Sequence, residues 1–328
     1  MKNWQDFTNT QDTSLQTSSF ICSGDDLGMI LVTGEDAADF LQNQLSNDIE
    51  LIDETRYQMS SYSTPKGRML AIFRVIQISN GYILFTPKSI VITTLQKLQL
   101  YVVNARVNLA DASAHFARMI IQTDSSEIEG METLPTQTGS VYQDDSIISL
   151  QLEPVNKQSR FLVCCLSFEQ IRELWLSLAK TLKLGSFKSW QLSEINAAIP
   201  VIYPDTVEEF VLQMTNLNQL DGVSFKKGCY PGQEIVARMQ YLGKLKRRMF
   251  LSRFKSDQCP LPGDNLVTEG KDIVDGSGKI VDAVMDDDGY CHCLYVAQIP
   301  KAESAQLRLL KTPDIKFSPA DLPYSIDV

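Results

Sequence analysis

Phe225-Lys226-Lys227-Gly228-Cys229-Tyr230-Pro231-Gly232-Gln233-Glu234-Ile235-Val236-Ala237-Arg238 is the most unusual stretch of the chain. Proline is at home in the first turn of a helix, where its missing N–H is not needed. Pro231 followed by Ile235, Val236 and Met239 therefore predicts a helix, with Cys229 at or just before its N-terminus. Unpaired N–H groups there carry partial positive charge, and Lys226 and Lys227 add two cations. Both favour thiolate over thiol, the condition for a reactive cysteine. Gly228 and Gly232 let the backbone come close to a ligand. The plain alternative is a small buried cysteine in a glycine-bracketed turn. No general base stands nearby, because the only histidines, His115 and His292, are far off in sequence.

Upstream, helical and strand patterns alternate from about residue 30 to residue 241. Thr33-Gly34-Glu35-Asp36 reads as a helix start, followed by Ala37, Leu41 and Leu45 on one face. Met69 to Ile78 and Tyr82 to Phe85 are apolar runs split by Asn80-Gly81, the residue pair of a tight hairpin. Pro87 opens a helix carrying Val91, Leu95 and Leu98. Residues 122–145 hold six acids and no Lys or Arg, which reads as an exposed loop. Arg160 to Leu166 is a strand candidate, and Phe168 to Leu184 a helix with Ile171, Leu174, Trp175, Leu178 and Leu182 on one face. After Lys246, short β-rich runs are punctuated by Pro260-Leu261-Pro262-Gly263, Gly276-Ser277-Gly278 and Asp288-Gly289, the pattern of a small antiparallel barrel. The expected division is 1–245 and 246–328.

Bulk properties narrow the function. The 328 residues are 44% hydrophobic with net charge −10. An acidic chain is repelled by phosphate backbones and anionic lipid, so direct nucleic-acid or membrane binding is disfavoured. The polar stretch Met1 to Ser19 has no signal-peptide pattern, and no apolar run approaches a membrane span. Seven scattered cysteines form no disulfide framework. A cytoplasmic protein follows as the expectation. Cys291-His292-Cys293 lacks a second Cys/His pair for zinc and reads as a strand with the cysteines on one face and His292 on the other. Asp286-Asp287-Asp288-Gly289 lacks an EF-hand's alternating ligands and reads as a hairpin turn. No metal site is expected.

The Phe225–Arg238 stretch closely resembles the signature of the YgfZ family, relatives of the glycine-cleavage T-protein, which usually reads K-G-C-Y-x-G-Q-E. Further pieces agree in order: Gly34 to Asp48, Pro65-Lys66-Gly67-Arg68-Met69, Trp190 to Pro200, Phe210 to Leu217, and Leu322-Pro323-Tyr324-Ser325. The resemblance implies an α+β fold, with two interleaved mixed α/β subdomains around a folate pocket and a C-terminal antiparallel β-barrel. It implies an accessory protein that binds tetrahydrofolate or a derivative and acts on iron–sulfur client proteins, including tRNA-modifying ones. Cys229 would be the working thiol, with Lys227 beside it. Trp190, Asn196, Gln213, Leu27, Glu234 and Arg238 fall at folate-site positions. Trp190 offers a stacking surface, and Asn196 replaces the T-protein's pterin-reading Glu with an amide that still hydrogen-bonds. Arg238, Lys244, Lys246, Arg247 and Arg248 form a basic cluster suited to the glutamate tail of a folate or to RNA phosphates.

The departures carry information too. The T-protein's Asp pair falls at Ala71 and Ile72, which accept no proton, so glycine-cleavage chemistry is excluded. The family's glycine before Ile-Pro is Ala198, its proline before Gln213 is Leu212, and a tryptophan before the first motif is Leu27. Two other readings stay open: a folate-dependent one-carbon transferase, and a non-catalytic scaffold with a vestigial pocket.

Overall fold

The computed structural model describes residues 3–124, 133–241, 243, 245–312 and 314–326. The chain divides into two units that interleave in sequence. One holds residues 1–41, 49–58 and 73–193; the other holds 42–48, 59–72 and 194–328.

The first unit is built on sheets whose inward residues alternate. Strands Phe20–Ser23, Ala117–Thr123, Gln158–Cys165, Ile147–Val155 and Val141–Gln143 pair antiparallel in that spatial order, and Lys183–Leu184 joins Phe20–Ile21 as a parallel edge. Strand Leu27–Thr33 pairs antiparallel with both Gly81–Pro87 and Asn108–Asp111. Phe20, Met29, Ile76, Ile83, Ile120, Leu150, Leu162 and Trp190 share one core. On the other face of the longer sheet, Trp4, Phe7, Ile21, Met119, Val163, Ile171 and Trp175 form a second.

The Asn80-Gly81 hairpin joins Met69–Ile78 to Gly81–Pro87 as expected, and Pro87 caps helix Lys88–Gln99, which buries Val91, Leu95 and Leu98. Helix Ala37–Gln44 buries Ala37 and Leu41, with Leu45 just past its end. One helix is shorter than its periodicity suggests. Phe168–Leu178 stops because Lys180 and Thr181 turn back onto Ser177 and Leu178, which frees Lys183–Leu184 to pair with Phe20–Ile21. Of the acidic stretch 122–145, residues 125–132 lie outside the described residues. Its two ends are strands, Ala117–Thr123 and Val141–Gln143.

In the second unit, strands Arg247–Lys255, Tyr290–Gln298, Gly278–Met285, Asn265–Thr268, Leu307–Leu309 and Lys316–Phe317 form one antiparallel sheet in that order. A bridge between Leu251 and Ala320 brings the sheet nearly to closure as the expected barrel. Phe250, Leu266, Ile280, Tyr295, Leu307 and Phe317 fill it. The alternation expected for Cys291-His292-Cys293 holds: both cysteines point into the core and His292 outward. The Asp286 to Gly289 segment is the hairpin turn, with Gly289 at φ +78°. The absence of disulfides expected from the cysteine spacing is corrected. Cys259 and Cys291, 32 residues apart, are bonded with Cα atoms 5.8 Å apart. Spacing along the chain does not reveal that the segment after Phe254 returns beside strand Tyr290–Gln298. No helix among the described residues is long and apolar enough to cross a membrane.

Candidate functional site

The loop that carries Cys229 is braced from below. Lys227 is buried, and its Nζ donates to the carbonyls of Leu45 and Asn47, both at 2.8 Å. The ammonium also lies 5.4 Å from the Tyr230 ring centroid. Two of its donors are thus committed to holding the loop on the 42–48 segment, which makes Lys227 an anchor in this geometry. Lys226 is exposed.

The helix after the loop begins later than Pro231. It runs Gln233–Tyr241, and Pro231 and Gly232 form a turn in which the Gln233 N–H donates to the Tyr230 carbonyl. Gly232 stands at φ +86°, a left-handed conformation that interrupts a proline-started helix. Cys229 is therefore on irregular chain ahead of the helix rather than in its first turn. It is exposed, whereas Cys22, Cys164, Cys165 and Cys293, the other free cysteines, are buried. A side chain added at Gly228 would meet nothing within 4 Å, so one flank of Cys229 is open.

The opposite flank is tight. A Cβ on Gly232 would lie 2.6 Å from the Gly67 Cα and 2.8 Å from the Thr64 carbonyl. The Pro65-Lys66-Gly67 turn is closed by the Gly67 N–H donating to Thr64, and Arg68 and Met69 then bond the Glu209 and Phe210 carbonyls at 2.7 and 2.8 Å. Gln213, 3% exposed, donates from Nε2 to the Val236 carbonyl at 2.7 Å. Its Oε1 is buried and has no partner among the described residues. Asn216 stands at φ +59° and exchanges hydrogen bonds with the backbone of Met249. Tyr324 donates to the Ala198 carbonyl at 3.0 Å and accepts from Asn216. Five separated motifs are thus tied into one unit through hydrogen bonds and a glycine contact.

Asn196, half-buried at the end of helix Phe187–Asn196, reaches strand Tyr290–Gln298. Its Oδ1 is 3.1 Å from His292 Nδ1, while His292 Nε2 is 2.9 Å from Asp286 Oδ2. Asp286 also accepts from the N–H groups of Asp288 and Tyr290. Burial lowers the His292 pKa, with Asp286 opposing; the Asp286 carboxyl, despite its own burial, lies below its ordinary range because of His292 and those N–H groups. Sequence patterns assign neither residue to a site. His292 sits in a strand pattern and Asp286 in a turn pattern, and only the hairpin brings them together.

The remaining candidates lie in the first unit or on exposed surface. Trp190 is 3% exposed and shares its core with Leu27. The Arg74 and Arg160 guanidinium carbons stand 5.7 and 5.3 Å from its ring centroid. Arg160 donates to the Glu153 carbonyl and to Ser193 Oγ, and Arg74 pairs with the Glu153 carboxylate at 3.9 Å. Tyr57 donates to the same carboxylate at 2.7 Å. The Trp190 ring is thus buried with two guanidinium groups beside it. Glu234 and Arg238 lie one turn apart on helix Gln233–Tyr241, and both are exposed. Of the basic cluster, Lys244 lies outside the described residues, Lys246 is exposed, Arg247 donates to the Gly276 carbonyl and Arg248 pairs with Glu303. Ala71 and Ile72 are buried in strand Met69–Ile78. Among the described residues, no three His, Cys, Asp or Glu side chains are grouped to hold a metal ion.

No family model matches the chain. Similar proteins are nonetheless evident. It is 29% identical over 310 residues to the tRNA-modifying protein YgfZ of Photobacterium profundum, covering 92% of this chain and 91% of that protein. The protein of the same name from Colwellia psychrerythraea is 29% identical over 317 residues, covering 92% of each. In three dimensions the chain is similar to glycine cleavage system aminomethyltransferase T from Bartonella henselae. The TM-score is 0.72 at 12% sequence identity, covering 94% of this chain and 87% of that one.

Proposed function

Because the chain belongs to the YgfZ family and has the fold of aminomethyltransferase T, we propose that it binds a reduced folate and serves iron–sulfur enzymes, including tRNA-modifying ones, through the thiol of Cys229. One observation carries this reading. Cys229 alone among the free cysteines is exposed, on a loop held by Lys227 and the Gly67–Gly232 contact. A braced loop presenting a soft, polarizable sulfur suits ligation to iron, or attack as thiolate on a partner's disulfide, in which the new S–S bond forms as the old one breaks and a partner thiolate leaves.

Folate recognition has support in the same unit. Gln213 Oε1 is a buried acceptor with no protein partner among the described residues, the kind of group that a ligand N–H completes. Asn196 supplies a second amide, and Arg238 and Lys246 suit a polyanionic glutamate tail. A bound reduced folate would supply one-carbon chemistry. The protein's own residues hold the pterin edge and present Cys229. Aminomethyl transfer of the glycine-cleavage kind has no base at Ala71 or Ile72.

Two measurements test the reading. Calorimetry with 5-formyltetrahydrofolate should give saturable binding that weakens in Gln213→Leu. In cells lacking the protein, the wild type should restore an iron–sulfur tRNA-modifying activity and Cys229→Ser should not. No heat at high micromolar ligand removes the folate half, and full rescue by Cys229→Ser removes the thiol half.

A further inference from the structure

His292 is held from two sides by acceptor atoms, Asp286 Oδ2 at 2.9 Å and Asn196 Oδ1 at 3.1 Å. A neutral imidazole has one N–H and one bare lone pair. It cannot donate to both. Placing the proton on Nδ1 would set the bare Nε2 against Asp286, whose carboxyl is held ionised by two backbone N–H groups and by Arg253 at 3.4 Å. The neutral ring therefore donates from Nε2 to Asp286 and offers a lone pair at Nδ1. The Asn196 carboxamide must then turn its NH2 toward the ring and its oxygen away. When His292 is protonated, both nitrogens donate, and the carboxamide turns the other way. Oxygen and nitrogen of an amide are nearly the same size, so this half-turn needs no repacking.

Resting on the reading that Asn196 meets a pterin, we propose that His292 sets which polarity Asn196 shows its ligand: acceptor when the ring is neutral, donor when it is protonated. The groups facing the ring are Asp286 from the hairpin turn, Arg253 from strand Arg247–Lys255, Asn196 from the helix end, and the apolar Val284 from strand Gly278–Met285. Asp286 favours the charged ring; Arg253 and burial oppose it. Burial is the larger influence, so the neutral, acceptor-presenting state prevails at neutral pH. An acceptor reads the 2-amino and N3–H donor edge of a 2-amino-4-oxopteridine. Acidification replaces that contact by two donors facing each other.

The experiment has two arms. In the free protein, nitrogen-15 NMR follows the His292 ring and the Asn196 side-chain amide across pH 5 to 8. The two should titrate with one midpoint, and in His292→Gln the Asn196 signal should no longer move. An Asn196 amide that does not follow His292 overturns the switch whether or not any folate binds. The second arm measures 5-formyltetrahydrofolate affinity over the same range. Affinity should fall about tenfold below the His292 midpoint, the scale of one lost hydrogen bond. Asn196→Ala should bind weakly at every pH with no such step. Binding with the same pH dependence in wild type and His292→Gln overturns the inference and leaves folate binding standing. Absence of binding at all pH values defeats the folate reading, while the NMR arm still decides the switch.

Discussion

Gly232 and Gly67 meet backbone to backbone, with room for no side-chain atom between them: a Cβ on Gly232 would lie 2.6 Å from the Gly67 Cα. Two sequence motifs far apart in the chain are thereby locked together by glycine alone. Gly232→Ala must adopt φ +86° with a side chain and also push the Thr64–Gly67 turn away. The expected cost is about 2–4 kcal/mol, combining backbone strain and overpacking. Gly228→Ala, with nothing within 4 Å, should change stability by less than about 0.5 kcal/mol. Urea unfolding of the two variants measures the contrast; equal effects would show that the glycine contact does not hold the loop.

Lys227 separates a structural from a chemical role. Its ammonium satisfies two carbonyls in the 42–48 segment. Lys227→Met keeps most of the stem's volume and removes both donors. Leaving the buried carbonyls without them costs about 1–3 kcal/mol. A lower urea midpoint with an unchanged slope is the expected result. A variant as stable as the wild type would return Lys227 to the chemistry of the neighbouring thiol.

Ala198 occupies a position with φ +52°, where the family resemblance implies glycine. Two effects oppose each other in Ala198→Gly. Left-handed strain of about 1–2 kcal/mol is relieved. Against this, the unfolded chain gains freedom worth about 0.5–1 kcal/mol, and a fully buried methyl worth about 0.8 kcal/mol is lost. The net change should lie within about 1 kcal/mol of zero. Ala198→Val adds a β-branch to the same conformation and should cost more than about 2 kcal/mol. Thermal unfolding of the pair checks the order, and a harmless Val would contradict the backbone geometry.

What the sequence discloses and what it hides differ in range. Asn80-Gly81, Pro87 and the alternation around His292 are local signals, and each produces the element it implies. The barrel is legible because turns recur at short spacing. The Cys259–Cys291 bond, the Asp286–His292–Asn196 chain and the Arg74–Glu153–Arg160 cluster around Trp190 depend on which distant segments become neighbours. Periodicity carries no information about that. The start of helix Gln233–Tyr241 is hidden for a different reason. Pro231 is compatible with a first turn, but the close approach at Gly67 imposes a positive φ on Gly232 and delays the helix.

Glu153 makes an acid-sensitive element of the Trp190 surroundings. Burial raises its carboxyl pKa, but Arg74, the Tyr57 hydrogen bond and Arg160 outweigh that and hold it below its ordinary value. A carboxyl with a lowered folded pKa contributes stability that is present above its unfolded value, near 4.3, and is lost as pH falls through the folded value. The side chain is 32% exposed, so solvent damps the effect. Glu153→Gln should therefore flatten the decline of stability below about pH 4.5. A wild-type acid limb retained in the variant would place that sensitivity elsewhere.

Cys229 is where exposure and burial give the sharpest test. Burial pushes the Cys164 and Cys165 thiols up to about 12 and raises Cys22 and Cys293 as well. Those four are closed both to reagent and to ionisation. Cys259 and Cys291 are bonded to each other. Iodoacetamide at neutral pH without reductant should thus modify the folded chain once, at Cys229, and label the other four free cysteines only in denaturant. Peptide mass spectrometry reads the site directly. Because Cys229 is exposed and Gly228 leaves its flank open, Cys229→Ser should move the melting temperature by less than about 2 °C, the scale of a surface substitution. It should still abolish rescue of iron–sulfur enzyme activity. Labelling spread over several cysteines would show that the buried thiols open readily. Unfolding of Cys229→Ser would make the residue structural, leaving the fold intact as a conclusion and the thiol chemistry without its centre.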